Sequence, residues 1–144
     1  MSVVNTPAIM LRRKDYGDYD VIVTFFTQFG GKVTTIAKSA KKSSKRFAGV
    51  LELFSVLQIV YRQSRRGSLP VLQEALLQQP FANIRSSMTK TAYASYWAEL
   101  IQQWLEGGQP QPQLYRLYHE ALGLLDAGHM SGEGASIIFQ MRFA

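Results

Sequence analysis

Lys38, Lys41, Lys42, Lys45 and Arg46 fall within nine residues, spaced by Ser39, Ser43 and Ser44, with no acidic side chain among them. Cations at this density can neutralise successive phosphates of a polyanion. Each such contact releases a condensed counterion, and that release drives much of nucleic-acid binding. A solvated surface loop can have the same composition, so the run must be weighed against the rest of the chain. Arg12, Arg13 and Lys32 precede it and Arg65 and Arg66 follow it, and all of them join the set of expected phosphate contacts. Phe47 and Tyr61 lie close to these cations and are the candidate rings for stacking on a base; burial as an anchor is the alternative for Phe47.

Other chemistries find little support. The chain has no Walker-type phosphate loop, no Gly-x-Ser-x-Gly elbow and no His-x-x-x-His pair. It contains no cysteine, and His119 and His129 lack a second histidine at ligand spacing, so neither a metal site nor a cofactor is expected. Asp15, Asp18 and Asp20 read as turn and strand-start residues rather than a catalytic cluster. No catalytic residue, and hence no enzyme, is expected.

The elements that must position these cations follow from composition and periodicity. The chain of 144 residues is 47% hydrophobic and 18% charged, which fits a globular protein of one ordinary domain or two small ones. Net charge is +6, and residues 1–66 hold 12 of the 16 Lys and Arg but 4 of the 10 acidic residues. One half therefore carries the positive field, which suggests a binding half and a scaffold or partner half. No apolar run approaches the roughly 20 residues of a membrane-spanning helix, and no secretory signal is evident. A cytoplasmic protein with no membrane partner is the expectation.

Five strands are predicted, over residues 3–14, 19–27, 32–38, 50–62 and 69–76. In the second, Val21, Val23 and Phe25 share one face, with Ile22 and Phe26 on the other, so both faces should be covered. Gln28-Phe29-Gly30-Gly31 makes strands two and three a hairpin. In the third, Val33, Thr35 and Ala37 form the smaller face, suited to the inside of a narrow barrel, while Lys32, Thr34, Ile36 and Lys38 share the other. From residue 79 the period becomes helical. Ile84, Met88, Ala92, Tyr96, Leu100 and Trp104 recur every four residues, with Tyr93, Trp97, Ile101 and Leu105 alongside. This predicts one helix over 83–106, N-capped at Asn83 and stopped by Gly107-Gly108, with its aromatic residues in a core. A second helix should start at Pro112 and stop near Gly128, and a third should begin at residue 135 after a loop over 129–134. Strands followed by helices, rather than alternating with them, indicate an α+β chain of two packed units, 1–79 and 80–144.

The ordered set of motifs resembles the N-terminal part of RecO, the bacterial recombination mediator family. The resemblance rests on Ala8-Ile9-Met10-Leu11-Arg12, Lys14-Asp15-Tyr16-Gly17-Asp18-Tyr19-Asp20, Thr24-Phe25-Phe26-Thr27 and Gly31-Lys32. It continues through Ala37-Lys38-Ser39-Ala40-Lys41-Lys42 and Arg46-Phe47-Ala48-Gly49, then Glu74-Ala75, Pro80-Phe81 and Ala92-Tyr93-Ala94-Ser95-Tyr96. It implies a five-stranded OB-fold barrel followed by a helical domain, binding single- and double-stranded DNA without turnover. It also implies strand annealing and RecA loading together with RecR, and contact with the tail of the single-strand-binding protein. Members continue past this point, often with a four-cysteine zinc module. The sequence here ends at Phe143-Ala144 with no cysteine, so no zinc is carried over and the helical part is expected to be a truncated one, from a fragment or a short relative. The family's glycine after Lys38 is Ser39 here, which weakens the expectation of a left-handed turn at that point. Two alternatives remain open: an adaptor whose barrel docks a repair partner, and an OB module that binds RNA.

Overall fold

In the computed structural model, which describes residues 2–42, 47, 49–105, 109–128, 134 and 139, Pro7 sits just before the point where β1 (Val3–Tyr16) is paired on both sides. It has no N–H to donate and lies one residue before the β1–β2 register begins at Ala8, while its carbonyl accepts from the Gln28 N–H. β1 is antiparallel both to β2 (Asp20–Thr27) and to β4 (Val56–Arg62). β2 forms a hairpin with β3 (Gly31–Ala37), and β4 pairs with β5 (Val71–Gln79). A single parallel pairing, Ile36 with Val71, closes the barrel in the order β1-β2-β3-β5-β4. The chain is thus α+β, with the five-stranded barrel first and the helices after it.

Strict alternation fills the inside of the barrel. Val21, Val23 and Phe25 of β2, Ala37 of β3 and Leu57, Ile59 and Tyr61 of β4 all lie in it, and Val33 packs at its edge. The narrow side chains Thr35 and Ala37 are fully buried, as their size on that face foretold. The fourth strand is shorter than expected. Residues 50–55 are not strand, because Phe54 takes a left-handed backbone (φ 70°) and its N–H and that of Met10 bond across to Met10 and Ser55 carbonyls. Leu51 and Phe47 instead turn inward and plug the barrel.

The helices differ from expectation at the start. The predicted single helix is two, α1 (Ala82–Arg85) and α2 (Met88–Trp104). Ser87, not Asn83, is the N-cap, its Oγ accepting from the Lys90 N–H at 3.2 Å. The Asn83 N–H is taken by Asp126 Oδ1 at 2.9 Å. The buried face of α2 is Ala94, Trp97, Ala98 and Ile101, whereas Met88, Tyr96 and Trp104 are exposed. A repeat of four residues advances about 40° per step on a helix of 3.6 residues per turn, so it cannot hold one face over five steps. Of the residues noted alongside it, Trp97, Ile101 and Leu105 are buried and Tyr93 is partly so. α3 (Pro112–Ala127) starts on proline and ends at Gly128 (φ 73°), as expected. The Gly107-Gly108 stop, the 129–134 loop and the third helix lie outside the described residues, apart from Gly134 and from Phe139, which stacks on Trp97 at 5.2 Å between centroids.

The helices do not form a core by themselves. Ile9, Leu11, Phe26, Phe54 and Val56 of the barrel's outer surface share one apolar cluster with Ile84, Trp97, Ile101, Tyr115 and Tyr118. That cluster covers one end of the β2–β3 outer face and leaves the other end open.

Candidate nucleic-acid interface

The outward row of β2 is Phe26, Thr24 and Ile22, and its partners on β3 are Lys32, Thr34 and Ile36. Phe26 meets the Tyr115 ring edge-on at 5.4 Å, under the helices. The Thr24 and Thr34 hydroxyls bond to each other at 3.1 Å in the middle of the row. Beyond them Ile22 and Ile36 face a cleft of about 490 Å³, within the usual size of a ligand site. Leu69 and Val71 complete its apolar floor. Tyr16 from the end of β1, Lys38 just after β3, Arg62 from the end of β4 and Arg65 from the β4–β5 loop stand round it, with no carboxylate among the lining residues.

The loops at its rim are held by specific bonds. Ser64 Oγ donates to the Ser68 carbonyl at 2.7 Å and the Ser68 N–H to Arg65 at 3.0 Å, which closes the β4–β5 loop on itself. Across the cleft, the β1–β2 turn is fastened to the segment after β3. The Ser39 N–H bonds Asp20 Oδ1 at 2.8 Å, the Lys41 N–H bonds the Tyr19 carbonyl at 3.0 Å, and Lys41 Nζ pairs with Asp15 Oδ2 at 3.2 Å. Lys42 Nζ lies 3.6 Å from the centre of the Tyr19 ring. Ser39 has φ 58°, so the left-handed turn is made without a glycine. Its N–H, donated to Asp20 Oδ1, holds it there.

A cationic cleft on the β2–β3 face, between the β1–β2 and β4–β5 loops, is where OB barrels bind oligonucleotides. The family model described as Recombination protein O N terminal matches residues 1–81, and that described as Recombination protein O C terminal matches residues 85–144. The chain belongs to the RecO family. It is 46% identical over 144 residues to a DNA repair protein RecO of Desulfatibacillum aliphaticivorans, covering 99% of this chain and 56% of that protein. It is 44% identical over 140 residues to one of Desulfosudis oleivorans, covering 96% and 54%, and 34% identical over 122 residues to one of Syntrophobacter fumaroxidans, covering 85% and 48%. The chain thus spans about half the length of these curated relatives.

In this RecO-family chain the expected contact residues separate into groups. Lys38 and Arg65 reach the cleft, and Arg66 is exposed in the same loop. Lys41 and Lys42 are exposed beside the β1–β2 turn, with Lys41 engaged by Asp15. Lys45 and Arg46 lie outside the described residues. The other three cations are elsewhere. Lys32 Nζ donates to the Gln102 carbonyl in the last turn of α2 at 3.3 Å, where unpaired carbonyls and the negative end of the helix favour a cation. Arg12 lines the same groove between barrel and α2, and Arg13 donates to the Leu51 carbonyl at 2.8 Å. Phe47 and Tyr61 are both 4% exposed within the barrel core. A ring so enclosed offers no face to a base, so Phe47 is the anchor of its loop and Tyr61 a core residue.

Two cleft residues escaped the sequence reading. Arg62 ends β4 on its polar face, three residues before Arg65, and that nearness was the available signal. Tyr16, 56% exposed, carried no comparable mark, because the residues around it read as a turn. His119 is a structural residue. Its Nε2 and Gln79 Oε1 are 2.6 Å apart, and burial lowers its pKa below the ordinary histidine value against the opposing pull of Glu120.

Proposed function

We propose that this chain is a non-catalytic DNA-binding module of recombinational repair. It binds single- and double-stranded DNA through phosphates and promotes annealing of complementary strands. With a RecR-like partner, and through the tail of the single-strand-binding protein, it assists RecA loading at the nucleoid. The observation that carries this reading is the cleft on the barrel's β2–β3 face, bordered by Lys38, Arg62 and Arg65 with no carboxylate in its lining. Phosphate contacts position a nucleic acid without reading its sequence, so binding should be nearly sequence-independent and steeply salt-dependent.

A salt series with labelled oligonucleotides tests it. Replacing Lys38, Arg62 and Arg65 together with alanine should lower the slope of log affinity against log salt by about 0.7 per lost contact on single strands and about 0.9 on duplex. Adding Lys42→Ala should lower it further. A slope unchanged in all of these variants removes the cleft from the interface. Matched DNA and RNA strands in the same series separate a DNA module from an RNA one, since the 2′-hydroxyl is the difference that a protein can read.

A further inference from the structure

Phosphate contacts do not account for the floor of the cleft. Ile22, Ile36 and Val71 present aliphatic carbon between the cations, and an ionic backbone gains nothing from such a surface. Tyr16 lines the same cleft, 56% exposed, and among the described residues its ring packs on no other ring. Tyr19, by contrast, has Lys42 over its face. An exposed aromatic face beside an apolar floor suits a flat, weakly polar group, and cations at the edge suit negative charge attached to it. An unstacked base with its flanking phosphates has this combination of chemistry. A duplex does not, because the faces of its bases are stacked on one another inside the helix.

We propose that the cleft is a nucleobase subsite: Tyr16 and the Ile22–Ile36–Val71 floor receive one unstacked base of a single strand, while Arg62 and Arg65 hold its neighbouring phosphates. The proposal rests on the nucleic-acid reading of the same face and adds a basis for preferring single strands. Arg62 and Arg65 have no carboxylate partner among the described residues, so their charge is available at the edge. The walls are also pre-set: the β4–β5 loop is closed by the Ser64–Ser68 bond, and the strand end bearing Tyr16 is pinned through Asp15 and Asp20. Pre-set walls reduce the ordering cost of binding.

The test compares three ligands on the full chain by fluorescence anisotropy: oligothymidylate, an abasic single strand of the same length, and a duplex. The wild-type chain should bind oligothymidylate more tightly than the abasic strand. Tyr16→Ala should weaken oligothymidylate binding about 5- to 150-fold, the range that loss of one stacked base implies. It should leave the abasic and duplex affinities and the salt slope in place. Tyr16→Phe should retain binding, and Tyr16→Leu, which keeps bulk without a π face, should behave as Tyr16→Ala and serves if the alanine variant melts early. Equal loss on all three ligands, no loss on any, or equal wild-type affinity for abasic and base-bearing strands overturns the subsite. Failure of the wider reading looks different: Arg62→Ala with Arg65→Ala would then leave the duplex salt slope untouched.

Discussion

The two ends of the β2–β3 outer face are built from the same alternation and meet opposite fates. At one end Phe26 and Lys32 are covered by helices, the ring by Tyr115 and the ammonium by the Gln102 carbonyl. At the other, Ile22, Ile36 and Lys38 face solvent in a cleft. Alternation decides which side chains point outward, but what lies over them depends on chain that arrives much later. The same residue types, an aromatic or aliphatic beside a lysine, therefore act as core at one end and as binding surface at the other. The difference should be largest in stability. Phe26→Ala should cost about 3–5 kcal/mol by removing a buried ring. Ile22→Ala, at a half-open site, should cost less than half of that in urea denaturation. Similar losses for the two would mean that the cleft end is as tightly packed as the covered one.

Proton release gives a second contrast. Tyr115 and Tyr118 are buried with hydroxyls that bond nothing among the described residues, and burial pushes Tyr115 up to about 12 and raises Tyr118 as well. In the unfolded chain a tyrosine ionises near pH 10, so above that value the unfolded state loses protons that the folded state must keep. Stability tied to Tyr115 is therefore complete below pH 10 and is lost as pH rises from 10 towards 12, by roughly 3 kcal/mol. Tyr115→Phe should remove that part of the alkaline loss in a melting series. The lining of the cleft holds no buried tyrosine, so this alkaline loss belongs to the covered end.

Much of the inner barrel was legible because it is local. Val21, Val23 and Phe25, and the small Thr35 and Ala37, announce their face by spacing of two within one strand. Several of the failures involve partners far apart in sequence. Nothing near Arg13 says that its guanidinium will meet the Leu51 carbonyl, and nothing near Lys41 says that Asp15 will pair with it. The charge run was read as one surface because a loop's path is not written in its composition. Among the described residues, Phe47 and Leu51 turn inward and plug the barrel, which the composition around them did not show. On α2, the repeat of four was attractive as a pattern and wrong as geometry, since the true buried face follows three-and-four spacing through Ala94, Trp97, Ala98 and Ile101.

β3 carries a left-handed residue just inside one end and another just beyond the other, and they sharpen the comparison further. Gly31 (φ 70°) lies at the covered end, where an added Cβ would run into the backbone carbonyl of Gln109 in the α2–α3 connection. Gly31→Ala should combine the left-handed penalty of roughly 1–2 kcal/mol with that backbone clash. Its total should therefore exceed about 2 kcal/mol in thermal or urea unfolding. The lysines flanking β3 should differ in binding instead. Lys38→Met should reduce the single-strand salt slope by about 0.7, while Lys32→Met should leave the slope alone and lower stability slightly. A reversed outcome would place the nucleic acid along the helix groove rather than the cleft.

The smallest effect is expected at Ser39, the left-handed residue at the open end (φ 58°). Here the backbone is held by Asp20 rather than by packing, and the Ser39 side chain is exposed. Ser39→Gly relieves the strain on Cβ but frees the unfolded chain, so the two terms partly cancel. A net gain of about 0.5–1 kcal/mol is expected, with DNA affinity unchanged. A loss of stability would show that the Ser39 side chain, and not only its N–H, holds the segment after β3 in place. In that event the rim of the cleft would be as closely determined as the covered end, and the contrast between them would reduce to what lies on top.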